Sequence, residues 1–178
     1  MKRMFVCIWV PEMLKGGIRK LQEEIRKLPI KCKMVETENL HLTLTFLGNL
    51  DENNIEKIKT VMYNLSGWKS FQVYLKGLKT IPSDNYIRVI GISTESGGNL
   101  ENLIKTVGSS IGGEYHNQTK MTLCRVKDVI DKKKVKDFIE KNKNISIGSF
   151  QVKKISLVES ILTESGPHYK TIYEIDLE

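Results

Sequence analysis

Residues 38–49 read ENLHLTLTFLGN, and residues 117–127 read NQTKMTLCRVK. Both carry the pattern x-apolar-Thr-Leu: His41-Leu42-Thr43-Leu44 in the first and Lys120-Met121-Thr122-Leu123 in the second. Side chains at i and i+2 of a strand point to the same face. His41, Thr43 and Thr45 therefore share one face, and Leu42, Leu44 and Phe46 the other. By the same alternation Lys120, Thr122 and Cys124 face together, opposite Met121, Leu123 and Arg125. Each copy offers a nitrogen group and a hydroxyl about 7 Å apart along one face. One H-x-T alone is an ordinary amphipathic strand, where β-branched threonine is at home. Two copies in similar settings imply two similar halves, each lending a strand to a shared groove. Hydroxyls donating to phosphate oxygens, with two nitrogen groups dividing acid and base work, suit phosphate chemistry in that groove.

Outward from these strands the pattern alternates. A first strand is expected over Arg3 to Val10, an apolar run suited to a strand covered on both faces. A helix over Pro11 to Leu28 follows, with Leu14, Ile18, Leu21, Ile25 and Leu28 on one stripe. Lys33 to Glu36 and His41 to Leu47 read as two strands around a turn at Thr37 to Asn39. A second helix starts at Asp51, a good N-cap, and runs to Leu65. Strands Phe71 to Leu78 and Tyr86 to Ile92 flank the loop KTIPSDN. A third helix spans Gly98 to Ile111; the loop GGEYHNQT then leads into strand Lys120 to Val126. A fourth helix covers Asp131 to Asn142, and the last strands lie at Ser149 to Ser160 and His168 to Leu177. Strands adjacent in sequence favour antiparallel pairing, hence an α+β protein over a doubly wound parallel sheet.

The length, 178 residues, fits one domain, taken as residues 1–178. No run of 18 apolar residues suggests a transmembrane helix. In the opening MKRMFVCIWVPE, Pro11 and Glu12 cut the apolar run short, which favours a strand over a secretory signal. A cytoplasmic monomer is the expectation. The net charge of +7 is compatible with a polyanionic partner, although the 28 Lys and Arg are spread along the chain. The densest cluster, DKKKVKD at 131–137, reads as a solvated helix face. Cys7, Cys32 and Cys124 lack metal-type spacing and read as buried or half-buried thiols.

The segment ENLHLTLTFLGNLDE resembles the first H-x-T motif of the 2H phosphoesterase superfamily, and more closely that of the RNA 2',3'-cyclic phosphodiesterases, the LigT or 2'-5' RNA ligase-like family. MKRMFVCIWVPE resembles the opening strand and turn of that family. TKMTLCRVK resembles its second motif, with the Leu-x-Arg-Val that follows, and LVESILTESGPHYKTI its closing strands, with Ser160 and Gly166-Pro167-x-Tyr169 in place. The resemblance covers essentially the whole chain. It implies a bilobal LigT-like α+β fold, two pseudo-symmetric lobes of antiparallel sheet and helices around a central groove. It further implies hydrolysis of a terminal 2',3'-cyclic phosphate to a 2'-phosphomonoester, without a metal or other cofactor. The implied partners are RNA ends or nucleotides carrying that group. Carried over by position, His41 is the proton donor, Thr43 and Thr122 hold the phosphate, Arg125 helps bind it, and Phe46 stands near the base.

One position departs. Where the family's second motif opens with histidine, this chain has Lys120. Histidine titrates near pH 6.5, whereas only about 1 in 2,500 free lysines is neutral at pH 7. As a base Lys120 needs a strongly lowered pKa; as a cation it still holds an anion and stabilises developing charge. The leading expectation is a phosphodiesterase with activity lowered at this position. The alternatives are a non-catalytic binder of RNA or nucleotide phosphate ends, and an enzyme acting on a small cyclic nucleotide. His116, four residues upstream, reads as a solvent-facing loop histidine, and His168 as structural. Strand alternation puts Arg125 and Phe46 on the face away from the groove, so their implied roles need a bulge or a strand end to bring them round.

Overall fold

The computed structural model describes residues 1–116 and 120–178. Asn117 to Thr119, which open the second quoted stretch, lie outside the described residues. The chain runs through β1 (Lys2–Trp9), α1 (Glu12–Arg26), β2 (Ile30–Met34), a 3-10 turn (Thr37–Asn39), β3 (His41–Leu50) and α2 (Glu52–Tyr63). It continues through β4 (Phe71–Pro82), β5 (Ile87–Glu95), α3 (Asn99–Ile111), β6 (Lys120–Val129), α4 (Lys132–Lys141), β7 (Ser146–Val152), β8 (Lys154–Thr163) and β9 (Gly166–Asp176).

Two antiparallel sheets result, ordered β3-β1-β8-β9 and β2-β6-β5-β4-β7. Set side by side, β3-β1-β8-β9 matches β6-β5-β4-β7, and β2 is the extra edge strand. The two strands quoted at the outset, β3 and β6, therefore hold equivalent places. Each pairs with the strand that opens its half, β3 with β1 and β6 with β5.

The helices interleave the halves. α1 follows β1 of the first sheet but packs on β2 and β7 of the second, and α3 follows β5 but packs on β3. The stripe on α1 lands as its spacing predicts, with Leu14, Ile18, Leu21 and Ile25 buried. Asp51 caps α2 by accepting from the Asn54 N–H at 2.8 Å, and Asp131 caps α4 in the same way from Lys134 at 3.2 Å. Among the described residues the larger of two apolar clusters runs under both sheets, from Met4, Val6 and Ile8 through Leu100 and Leu103 to Leu157. β1 is indeed covered on both faces, because Phe5 and Cys7 pack with Trp9 and Tyr169 on the other side.

The two strands expected around Thr37–Asn39 are present as β2 and β3, in different sheets: β2 pairs with β6 and β3 with β1, so the short 3-10 turn carries the chain from one sheet to the other. Alternation alone cannot distinguish this from a hairpin, since both outcomes bury every second residue. One expectation about strands is corrected. The stretch expected as one strand from Ser149 to Ser160 is two, parted at Lys153. β7 lies at the edge of the second sheet against β4, and β8 lies in the first between β1 and β9. The last residues of β4, through Pro82, are strand rather than loop.

Candidate active site

β3 and β6 carry the same irregularity. Along β3, Cys7 of β1 opposes Thr43 and Val6 opposes Thr45, which leaves Leu44 as the extra residue of a β-bulge. Along β6, Gly91 of β5 opposes Thr122 and Ile90 opposes Cys124, which leaves Leu123 in the same position. A bulge reverses the facing of everything beyond it. Thr45 and Cys124, expected beside His41 and Lys120, are instead fully buried. The Thr45 hydroxyl donates to the Gly112 carbonyl at 2.9 Å. Burial pushes the Cys124 thiol up to about 12, and neighbouring Cys32 adds to the shift. Phe46 and Arg125, expected on the far face, turn into the cleft.

That cleft, about 220 Å³, is lined from both sheets. From β3 it takes His41, Thr43 and Phe46; from β6 it takes Lys120, Thr122 and Arg125. Lys33 of β2, Asn39, and Pro167 and Tyr169 of β9 complete much of its wall. A second, larger cleft of about 710 Å³ continues from it, sharing His41, Phe46, Arg125, Pro167 and Tyr169 and adding Arg3, Phe5 and Glu114. All six residues singled out from the sequence line the smaller cleft. His116 stands exposed in the loop before β6, and His168 is exposed on β9. Among the described residues no group of three His, Cys, Asp or Glu could hold a metal ion. Among the described residues no helix is long and apolar enough to cross a membrane.

His41 is held on every side. Its Nδ1 lies 2.6 Å from the Asn39 carbonyl, which only accepts, so Nδ1 carries the proton. Its Nε2 lies 3.0 Å from Thr43 Oγ1 and faces the cleft. Phe5, Trp9 and Tyr169 surround the ring with centroids at 5.1, 5.8 and 5.5 Å, the tyrosine edge-on at 89°. Burial among these rings lowers the His41 pKa from its ordinary value; the Asn39 carbonyl opposes the shift and the Arg125 charge adds to it. Burial raises the Tyr169 pKa, so its hydroxyl keeps its proton. Asn39 is itself buried and donates through Nδ2 to the Pro167 carbonyl at 3.0 Å, tying the β8–β9 turn to the histidine.

Lys120 has a different neighbourhood. It is half-buried, and its pKa is lowered first by burial, then by the charges of Lys79 and Arg125. Both causes act toward the neutral amine. A bound phosphate acts the other way.

Alternation along β1 could have revealed one wall in advance: Phe5, Cys7 and Trp9 share a face, and Trp9 pairs with His41. Asn39 and Glu114 gave no such signal. Their places depend on a turn and on a bridge between segments distant in sequence.

Residues 8–91 match the family model described as LigT-like phosphoesterase. That span contains His41 and ends before Lys120. A protein of Methanocaldococcus jannaschii described as an RNA 2',3'-cyclic phosphodiesterase is 38% identical over 177 residues, 97% of this chain and 99% of its own. One of Aquifex aeolicus with the same description is 32% identical over 184 residues, 98% of this chain and 97% of its own. Among solved structures, E. coli LigT complexed with 3'-AMP superposes with a TM-score of 0.79 at 19% identity, covering 99% of this chain and 98% of that one. At that identity the superposition speaks for the fold.

Proposed function

The chain belongs to the LigT-like phosphoesterases of the 2H superfamily, and from that premise we propose that it hydrolyses RNA ends carrying a 2',3'-cyclic phosphate to 2'-phosphomonoesters. The observation that carries the reading is the meeting of His41 and Thr43 from one lobe with Lys120 and Thr122 from the other in a single small cleft. The larger apolar cluster beneath both sheets also supports treating residues 1–178 as one working domain.

In this reading the phosphate sits between the two threonines, whose hydroxyls donate to its non-bridging oxygens, with Arg125 adding charge. Water attacks phosphorus in line with the bond to the 3' oxygen, and that bond breaks. His41, protonated at Nε2 while Nδ1–H stays on the Asn39 carbonyl, gives its proton to the departing 3' oxygen. The product keeps the phosphate on the 2' oxygen, with a free 3' hydroxyl. The proton lost by water passes to the amine of Lys120 in the fraction of molecules where that amine is neutral. The lowered pKa enlarges this fraction. The remaining molecules have a cation there, which holds the anion and supplies no base. General base catalysis typically contributes about 10²- to 10⁴-fold, so reduced rather than absent turnover is the consequence. Phe46, 44% exposed in the cleft, offers its ring to the terminal base.

Lys120 also favours a second reading, a binder of cyclic-phosphate ends with little turnover. One assay separates the two: RNA ending in a 2',3'-cyclic phosphate, with products resolved as 2'- or 3'-phosphate. Slow release of 2'-phosphate supports the enzyme. Release of 3'-phosphate would exchange the roles of His41 and Lys120. Tight binding with no turnover would sink the enzymatic reading and leave the binder.

A further inference from the structure

The turn Gly112-Gly113-Glu114 is built against Phe46. Phe46 and Glu114 form an isolated antiparallel bridge, each N–H donating to the other's carbonyl at 2.8 Å. Residues that exchange both bonds sit about 5.5 Å apart at Cα and point their side chains to one face. Both side chains accordingly line the larger cleft, beside Phe5 and Arg125. The approach is close enough to demand glycine. Gly113 has a φ of 92°, and a Cβ there would meet the Phe46 carbonyl oxygen and the Thr45 hydroxyl. The Thr45 hydroxyl, bonded to the Gly112 carbonyl at 2.9 Å, fixes the turn from below. The effect is to hold one carboxylate beside an exposed aromatic ring, in a cleft that otherwise carries the cations Arg3 and Arg125. Among the described residues, Glu114 has no ion pair and no side-chain hydrogen bond partner.

We propose that Glu114 reads the Watson–Crick edge of the 3'-terminal base stacked on Phe46, favouring guanine most and uracil least. This rests on the reading of the smaller cleft as the phosphate site, because only then does the terminal base reach Phe46. A carboxylate accepts and cannot donate. Guanine presents two adjacent donors, N1–H and the 2-amino group, and takes both carboxylate oxygens. Adenine and cytosine present one amino donor beside a ring acceptor. Uracil presents a single N–H between two carbonyls, so one carboxylate oxygen is left against a carbonyl. A carboxamide levels this order: it donates and accepts, so it matches the N–H and carbonyl of uracil and the N1–H and O6 of guanine alike, and no longer takes both donors of guanine.

The test is kcat/KM for four short RNAs that differ only in the base of the terminal 2',3'-cyclic nucleotide, together with binding of the four nucleoside 2'-monophosphates. The native protein should prefer guanine to uracil by about tenfold or more, the scale of one charge-assisted hydrogen bond. Glu114→Gln and Glu114→Ala should both bring that ratio close to one. The same loss on all four bases in both variants would overturn the proposal and leave Glu114 as a counter-charge to the arginines. No turnover and no binding of any nucleotide by the native protein would instead overturn the function on which the proposal rests. Where turnover is too slow to measure, the same ratios are read from the binding of the four products.

Discussion

β3 and β6 have the same backbone course and different company. Each runs x-apolar-Thr, bulges at the next leucine, buries one residue and turns the following side chain into the cleft. Their partner strands differ. Opposite His41 stands Trp9, and opposite Phe46 stands Phe5; at the equivalent places β5 offers Ser93 to Lys120 and Val89 to Arg125. One lobe surrounds its nitrogen group with rings and a fixed acceptor, and the other sets it beside two cations. Repetition of the backbone determines where the two groups stand, whereas the neighbours determine which of them holds a proton. Burial favours the free imidazole at His41, and burial with two neighbouring cations moves Lys120 toward its neutral amine.

The largest expected effect breaks the comparison on its better-built side. His41→Ala should lower kcat on a cyclic-phosphate RNA by about 10³-fold, within the usual range for loss of a positioned proton donor. Lys120→Ala should cost about tenfold, because the amine serves as base only in the fraction of molecules where it is neutral. A larger loss from Lys120→Ala than from His41→Ala would mean that the second lobe carries the chemistry.

Restoring the symmetry comes next. Lys120→His should raise kcat/KM at pH 7 by about 100-fold, since most histidines at that pH are neutral and few lysines are. The pH profile makes the sharper test. With His41 moved down from the ordinary histidine value and Lys120 down from the ordinary lysine value, the productive form is protonated His41 with neutral Lys120. Between the two pKa values one fraction falls with pH as fast as the other rises, so their product is flat. The native enzyme should therefore show a low, broad plateau, falling on the acid side as Lys120 becomes fully protonated with no compensating gain in protonated His41. On the alkaline side it should fall only once Lys120 is neutral and His41 continues to lose its proton. Lys120→His should turn this into a narrow, higher bell close to neutrality. An unchanged plateau would show that position 120 takes no proton.

Much of this site was legible because its residues are near one another in the sequence. His41 with Thr43, and Lys120 with Thr122, are i, i+2 pairs, and alternation alone puts each pair on one face. The helix stripes and the Asp51 cap were legible for the same reason. Facing failed at Thr45 and Phe46, and at Cys124 and Arg125, because a bulge depends on the partner strand and leaves no mark on the bulged strand itself. Asn39 and Glu114 were missed because a backbone carbonyl and a bridge between distant segments give them their places. The exchange of sheets at Thr37–Asn39 was not legible because a hairpin and a crossover bury the same residues.

The two bulges are also secured differently, and this gives a smaller effect. On β6, buried Gln22 of α1 reaches across with Nε2 to the Val35 carbonyl at 3.0 Å and the Leu123 carbonyl at 3.1 Å. Gln22→Leu removes both donors. The Leu123 carbonyl still accepts from the Val35 N–H at 2.9 Å, while the Val35 carbonyl loses its side-chain donor. An unsatisfied buried group costs about 1–3 kcal/mol, so a fall in Tm of about 2–12 °C is expected for a chain of this size. A smaller fall would mean that water replaces the amide.

On β3, among the described residues, no side chain from another element does this work; the strand's own Thr45 ties the bulge to the Gly112–Glu114 turn. Thr45→Val keeps the shape and removes the hydroxyl, leaving the Gly112 carbonyl without that donor. The cost should be about 1 kcal/mol, a fall in Tm of about 2–4 °C. The symmetry mate is the control. Cys124 is equally buried, and its thiol makes only weak hydrogen bonds, to Cys32 and the Ile90 backbone, so Cys124→Val should move Tm by less than Thr45→Val. Equal shifts would mean that the hydroxyl contributes nothing beyond packing. A difference between the mates would show that one bulge is held by a hydrogen bond from its own strand and the other from a helix of the opposite half.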